Sequence, residues 1–110
     1  REYPNESLIA FVKSNLSKGD KVLELGCGGG ANLWFLAKEG YDAYGVDFSK
    51  TGIDYCKKML EKWNVGANIK LGDIKNLNYD NDYFDAIVDV VSLQRIKEKD
   101  KVLRGAFKCL

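Results

Sequence analysis

The chain has 110 residues, 45% of them hydrophobic and 30% charged, values that fit one ordinary globular domain and exclude two. Its 17 basic and 16 acidic residues leave a net charge of +1, with no basic block that would mark nucleic acid as an obligatory partner. It has no histidine and only three cysteines, which excludes the usual zinc sites and any disulfide framework.

In chain order, Asn5 to Leu16 carries Leu8, Ile9, Phe11, Val12 and Leu16 at helical spacing, with Asn5 or Ser7 as the cap. Ser17 to Asp20 reads as a turn. Lys21 to Leu25 (KVLEL) is a mostly apolar strand of the kind a parallel sheet buries on both faces. Gly26 to Gly30 forms a glycine-rich loop, Ala31 to Glu39 a helix, and Gly40 its stop. Asp42 to Val46 is a second strand. Ser49 caps a helix that runs to about Trp63, with Ile53, Cys56, Lys57, Met59, Leu60 and Trp63 on one stripe. Asn68 to Leu71 is a third strand, Tyr79 to Tyr83 a polar, turn-rich connection, and Phe84 to Val91 a fourth strand. A last helix, Asp100 to Leu110, presents Val102, Leu103, Ala106, Phe107 and Leu110 on one face. Strands separated by single helices predict βαβ units and an α/β fold: an open, Rossmann-like parallel sheet flanked by helices.

No apolar run is long enough to span a bilayer, and no apolar leader core follows Arg1 to Pro4. Cys27, Cys56 and Cys109 read as small buried hydrophobes, and free thiols point to a reducing cytoplasm.

The chemistry concentrates where the strands end. Glu24-Leu25-Gly26-Cys27-Gly28-Gly29-Gly30 sits at a strand-to-helix turn, where glycine permits positive φ and close approach of a ligand to the backbone. Ligands of open α/β sheets bind at this edge. Asp47 follows about 20 residues later, at the end of the second strand, where a carboxylate can accept from both ribose hydroxyls of a nucleoside; alternatively it caps the next helix with Ser49. At the end of the third strand, the Asp73 carboxylate can accept from an adenine amino group and the Ile74 N–H can donate to a ring nitrogen, unless Gly72-Asp73 is an ordinary turn. Glu24 is the one acid in an apolar strand, so its carboxylate needs donors: the loop N–H groups, where it would brace the loop, or a ligand ammonium.

These residues resemble those of the class I S-adenosylmethionine-dependent methyltransferases. The matching segments are VLELGCGGG (Val22 to Gly30), VDFS (Val46 to Ser49), GDI (Gly72 to Ile74) and FDAIVDVVSLQRI (Phe84 to Ile96), in the family's order and spacing. The resemblance implies that Gly26 and Gly28 line the methionine part of S-adenosylmethionine, with Glu24 beneath. Asp47 would hold the ribose, Phe48 would pack on the adenine, and Asp73 and Ile74 would frame its edge. Asp89 and Val90 would approach the methionine amino group through backbone carbonyls; Asp89 can also be a solvated strand-end acid. Tyr3-Pro4-Asn5-Glu6 looks like the start of a lid helix (about 5–17) that would set Tyr3 and Glu6 over the cofactor, or like a simple capped helix start. Where many relatives place a histidine beside the transferred methyl, Ser92 to Ile96 offers Gln94 and Arg95, so no catalytic base is assigned.

Residues 1–110 are thus expected to form one methyltransferase domain with strand order 3-2-1-4, a fragment lacking the C-terminal strands that would cover the fourth strand. The expected activity is methyl transfer to a small-molecule acceptor, with no metal and no membrane. Two other readings compete. GCGGGA (Gly26 to Ala31) also fits the G-x-G-x-x-A fingerprint of an NAD(P)-dependent oxidoreductase, although Glu24 two residues before the loop resembles the methyltransferases and Gly72-Asp73 has no role in that fingerprint. A non-catalytic S-adenosylmethionine-binding or protein-interaction module is the third.

Overall fold

A computed structural model describes residues 3–89 and 98–110. The elements are α1 (Glu6–Asn15), β1 (Lys21–Leu25), α2 (Ala31–Lys38), β2 (Asp42–Asp47), α3 (Lys50–Lys62), β3 (Asn68–Leu71), β4 (Ala86–Val88) and α4 (Lys99–Cys109). The four strands form one parallel sheet, as the alternation of strand and helix predicts, in the order β3-β2-β1-β4 that the family resemblance implies. Glu24 is level with Gly45 on one side and Val88 on the other, so the carboxyl ends of β1, β2 and β4 open at one edge.

Two cores cover the two faces of the sheet, and strand alternation sorts residues between them. One packs Leu8 and Val12 of α1, Leu33, Phe35 and Leu36 of α2, and Ile53, Cys56 and Leu60 of α3 against Val22, Ala43 and Ala86. The other packs Val102 and Cys109 of α4 against Leu23, Leu25, Val46, Ile74 and Phe84. β2 lies close under α2 because Gly45 has no side chain: a Cβ there would stand 2.5 Å from Leu33 Cδ1 and 2.9 Å from Cys27 Cβ.

At the start of α1 the cap is Asn5, whose side chain accepts from the Leu8 N–H at 3.0 Å; Ser7 lies inside the helix. Asn5→Ala leaves that N–H without its partner and is expected to cost about 1 kcal/mol of stability, read by denaturant unfolding. Ser49 caps α3 as expected, accepting from the Gly52 N–H at 3.1 Å.

Three expectations are corrected. The fourth strand is shorter than Phe84 to Val91, because β1 offers partners only from Ala86 to Val88; Val90 and Val91 lie outside the described residues. The buried stripe of α4 is not the one its apolar residues suggested. Val102 and Cys109 are buried at i and i+7, while Leu103, Phe107 and Leu110 lie on the adjoining stripe and are exposed. The segment Tyr79 to Tyr83 is more than a polar connection. Tyr79, Tyr83 and Phe84 ring Tyr44 in edge-to-face contacts, and the Tyr44 and Tyr83 hydroxyls meet at 2.7 Å.

Candidate functional site

The strand-end edge is built around Asp47. Its Oδ2 accepts from the Gly28 N–H and its Oδ1 from the Ser49 N–H, both at 2.9 Å. One carboxylate thus ties the glycine loop after β1 to the turn after β2, while only 8% exposed. Each carboxylate oxygen has a second lone pair, so both can still accept from a hydroxyl. The helix-cap and ligand roles of Asp47 are therefore compatible.

The loop itself is held by β2, with the Gly26 and Cys27 N–H groups donating to Val46 O at 2.7 and 3.2 Å. Gly26 (φ 68°) and Gly28 (φ 49°) take left-handed backbone that only glycine adopts freely. A Cβ on Gly28 would meet nothing nearer than Gly26 O at 3.9 Å, so the space above the loop is open to a ligand.

Glu24 lies beneath this loop, 3% exposed. The loop amides, one of the two donor sources read from the sequence, do not reach it. Those of Gly26 and Cys27 serve Val46 and that of Gly28 serves Asp47. The donor is Asn32 in the first turn of α2, whose Nδ2 lies 2.7 Å from Glu24 Oε2, so Glu24 braces the helix and not the loop. Asn32 is itself buried, and its Oδ1 accepts from the Asn5 N–H at 2.9 Å. One amide therefore joins the cap of α1 to the carboxyl of β1. The sequence reading missed Asn32, although it is a polar residue in an otherwise apolar helix start, as Glu24 is in its strand.

Glu24 Oε1 is buried with no hydrogen-bond partner among the described residues. Burial pushes the carboxyl from 4.5 up to about 8; the Asn32 hydrogen bond pulls it down, and Asp89 and Asp47 push it further up. An unfolded chain releases this proton near 4.5, so between 4.5 and about 8 the folded state binds more protons, and stability falls as pH rises through that window.

The other expected residues take the following places. Phe48 stands 84% exposed directly after Asp47, an apolar ring offered to the edge. Asp73 is exposed and forms a local turn, accepting from the Lys75 N–H at 2.8 Å, while the Ile74 side chain is buried in the α4-side core. Asp89 follows β4 and lines a recess of about 470 Å³ with Asn5, Ser7, Leu8, Phe11, Ile87 and Val88, so the start of α1 sits beside the end of β4. Tyr3 lines a separate groove with Trp34, Tyr55, Met59 and Trp63, and Glu6 is exposed in the first turn of α1. Val90, Gln94 and Arg95 lie outside the described residues. Cys27, Cys56 and Cys109 are free and buried, as expected. Among the described residues no cluster of acids and cysteines could hold a metal ion, and no helix is long and apolar enough to cross a membrane.

A glycine loop braced by the acid at the end of the neighbouring strand, in a β3-β2-β1-β4 parallel sheet with helices on both faces, defines a Rossmann-like nucleoside-binding fold of the class I methyltransferase type. The profile of a family described as "Methyltransferase domain" matches residues 16–110, and the chain belongs to that family. It is 34% identical over 102 residues to the ubiquinone biosynthesis O-methyltransferase of Coxiella burnetii, covering 92% of this chain and 44% of that protein. It is also 34% identical over 113 residues to the cypemycin N-terminal methyltransferase of a Streptomyces species, covering 93% of this chain and 42% of the relative. The crystal structure of a SAM-dependent methyltransferase from Aquifex aeolicus superimposes with a TM-score of 0.80 at 20% identity, covering 93% of this chain and 57% of that one. The chain thus spans less than half the length of these two curated relatives.

Proposed function

We propose that the protein binds S-adenosylmethionine at the strand-end edge and transfers its methyl group to a small-molecule nucleophile. The observation that carries this reading is the Asp47 carboxylate, nearly buried, bridging the glycine loop to the turn after β2 and keeping a free lone pair on each oxygen. Ribose hydroxyls would take those lone pairs. Gly26 and Gly28 would lie along the methionine part, with Glu24 beneath at its amino group. Phe48 would cover one adenine face, and the Asp73 carboxylate and Ile74 N–H would read the adenine edge. Asp89 and Val90 would close the amino-group end, and α1, with Glu6 in its first turn, would form the lid.

S-adenosylmethionine, when bound, supplies an electrophilic methyl on a sulfonium. The chain's own part is positioning: holding sulfur and acceptor in line contributes about 7–11 kcal/mol of barrier lowering in well-oriented systems. The relatives' names speak of O-methyl transfer in one case and N-terminal methylation in the other, so the acceptor atom differs among them. The near-neutral charge supports a small-molecule acceptor over a nucleic acid. We read residues 1–110 as one cofactor-binding domain of a cytoplasmic enzyme, with the three reduced thiols as support for the compartment.

Calorimetric titration with S-adenosylhomocysteine, with NADH in parallel, tests this reading. Binding of S-adenosylhomocysteine without NADH binding is expected. The reverse would assign the site to a nicotinamide dinucleotide and overturn the proposal.

A further inference from the structure

Glu24 is more enclosed than a binding carboxylate needs to be. It is 3% exposed and, among the described residues, receives one hydrogen bond, from Asn32 of α2, and has a second oxygen with no partner. Among the described residues, the charged groups acting on it are acids: Asp47 at the end of β2 and Asp89 after β4. The buried Cys27 and Cys56, in the loop and on α3, bring no compensating positive charge in either protonation state. Among the described residues, an ionised carboxylate in such a place has the single donor Asn32 and no cation to make burial tolerable. A neutral carboxyl needs no cation, because Oε2 keeps its bond from Asn32 and Oε1 carries the proton.

We propose that Glu24 keeps a proton while the strand-end site is empty and gives it up when a ligand's alkylammonium group seats beside Oε1, so that this carboxyl selects nucleosides bearing an amino-acid tail over nucleosides without one. The proposal rests on the reading that the strand-end edge binds an S-adenosyl compound. The ligand amine enters already protonated. The Glu24 proton leaves to solvent, and the carboxylate and ammonium form a charge-assisted pair in place of the neutral acid. Burial, which holds the empty-site carboxyl up near 8, supplies the proton to be released at neutral pH. Asn32 is the positioning residue: by holding Oε2 it leaves Oε1 as the oxygen that carries the proton, and its Oδ1 bond to the Asn5 N–H keeps that amide from turning over.

Calorimetry near neutral pH, in phosphate and in Tris, counts the protons exchanged on binding. S-adenosylhomocysteine is expected to release about 0.9 proton, the protonated fraction one unit below the midpoint of the titration. 5′-Methylthioadenosine, which lacks the amine, is expected to release none. The release should fade as pH rises through about 8. Asn32→Ala should move that fade to higher pH, a shift that loss of packing alone does not produce. Glu24→Gln should abolish the release and weaken S-adenosylhomocysteine about tenfold while sparing methylthioadenosine. Binding of S-adenosylhomocysteine by the unsubstituted protein with the same heat in both buffers would overturn the inference and leave the nucleoside site standing. Equal release with both ligands would overturn it too, and neither result requires a variant to fold. If neither ligand binds, the nucleoside site itself is refuted, and the inference with it.

Discussion

Asp47→Ala is expected to weaken S-adenosylhomocysteine binding by at least about a hundredfold. Two charge-assisted hydrogen bonds to ribose hydroxyls contribute roughly 1.5–3 kcal/mol each, and each 1.4 kcal/mol is tenfold in affinity. The substitution also releases the Gly28 and Ser49 N–H groups, so the glycine loop keeps its backbone bonds to Val46 but loses its tie to the turn after β2. Asp47→Asn separates the two effects. It keeps one acceptor oxygen but loses the charge and the second acceptor, so an intermediate affinity is expected. Titration calorimetry gives the affinities, and thermal unfolding without ligand gives the structural share. If Asp47→Ala lowers the melting temperature while affinity stays within a few-fold of the unsubstituted protein, Asp47 is a loop brace and helix cap only, and the ribose role fails.

The first two strands could be read from the sequence because each is short, mostly apolar and followed by a helix with its own stop or cap signal. Gly40 ends one helix and Ser49 starts another, and both signals act within a few residues. Asp47 and Glu24 could be singled out because a charged residue in an apolar strand, or at its end, is costly without partners. Their partners were less accessible. Asn32 meets Glu24 only because α2 turns back over β1, eight positions along the chain. The rotation of α4 was hidden for a related reason. Its sequence carries two adjoining apolar stripes, and which one faces the sheet depends on contacts with Leu23, Val46 and Phe84, far away in sequence. The tyrosine cluster around Tyr44 likewise joins residues 39 positions apart, and local polarity gave no sign of it.

Gly30→Ala is expected to combine backbone strain with a steric clash and so to be strongly destabilising. Gly30 has φ 87°, and left-handed backbone costs a non-glycine residue roughly 1–2 kcal/mol. The new Cβ would also stand 2.8 Å from Cys56 Sγ and 3.2 Å from Cys56 Cα, because α3 packs directly on the start of α2. Overpacking of this kind costs about 1–3 kcal/mol more. The total should lower the melting temperature by on the order of 10–20 °C in a domain of this size. Gly19→Ala supplies the conformational share alone, since Gly19 has φ 90° and a Cβ there meets nothing within 4 Å. Cys56→Ala in the Gly30→Ala background removes the sulfur, so the two substitutions together should cost less than their sum. Strict additivity would mean that the thiol yields without strain and that the φ of Gly30 carries the whole effect. With non-additivity, the packing of α3 against the loop is what fixes the start of α2. That start carries Asn32, and through it the carboxyl of Glu24.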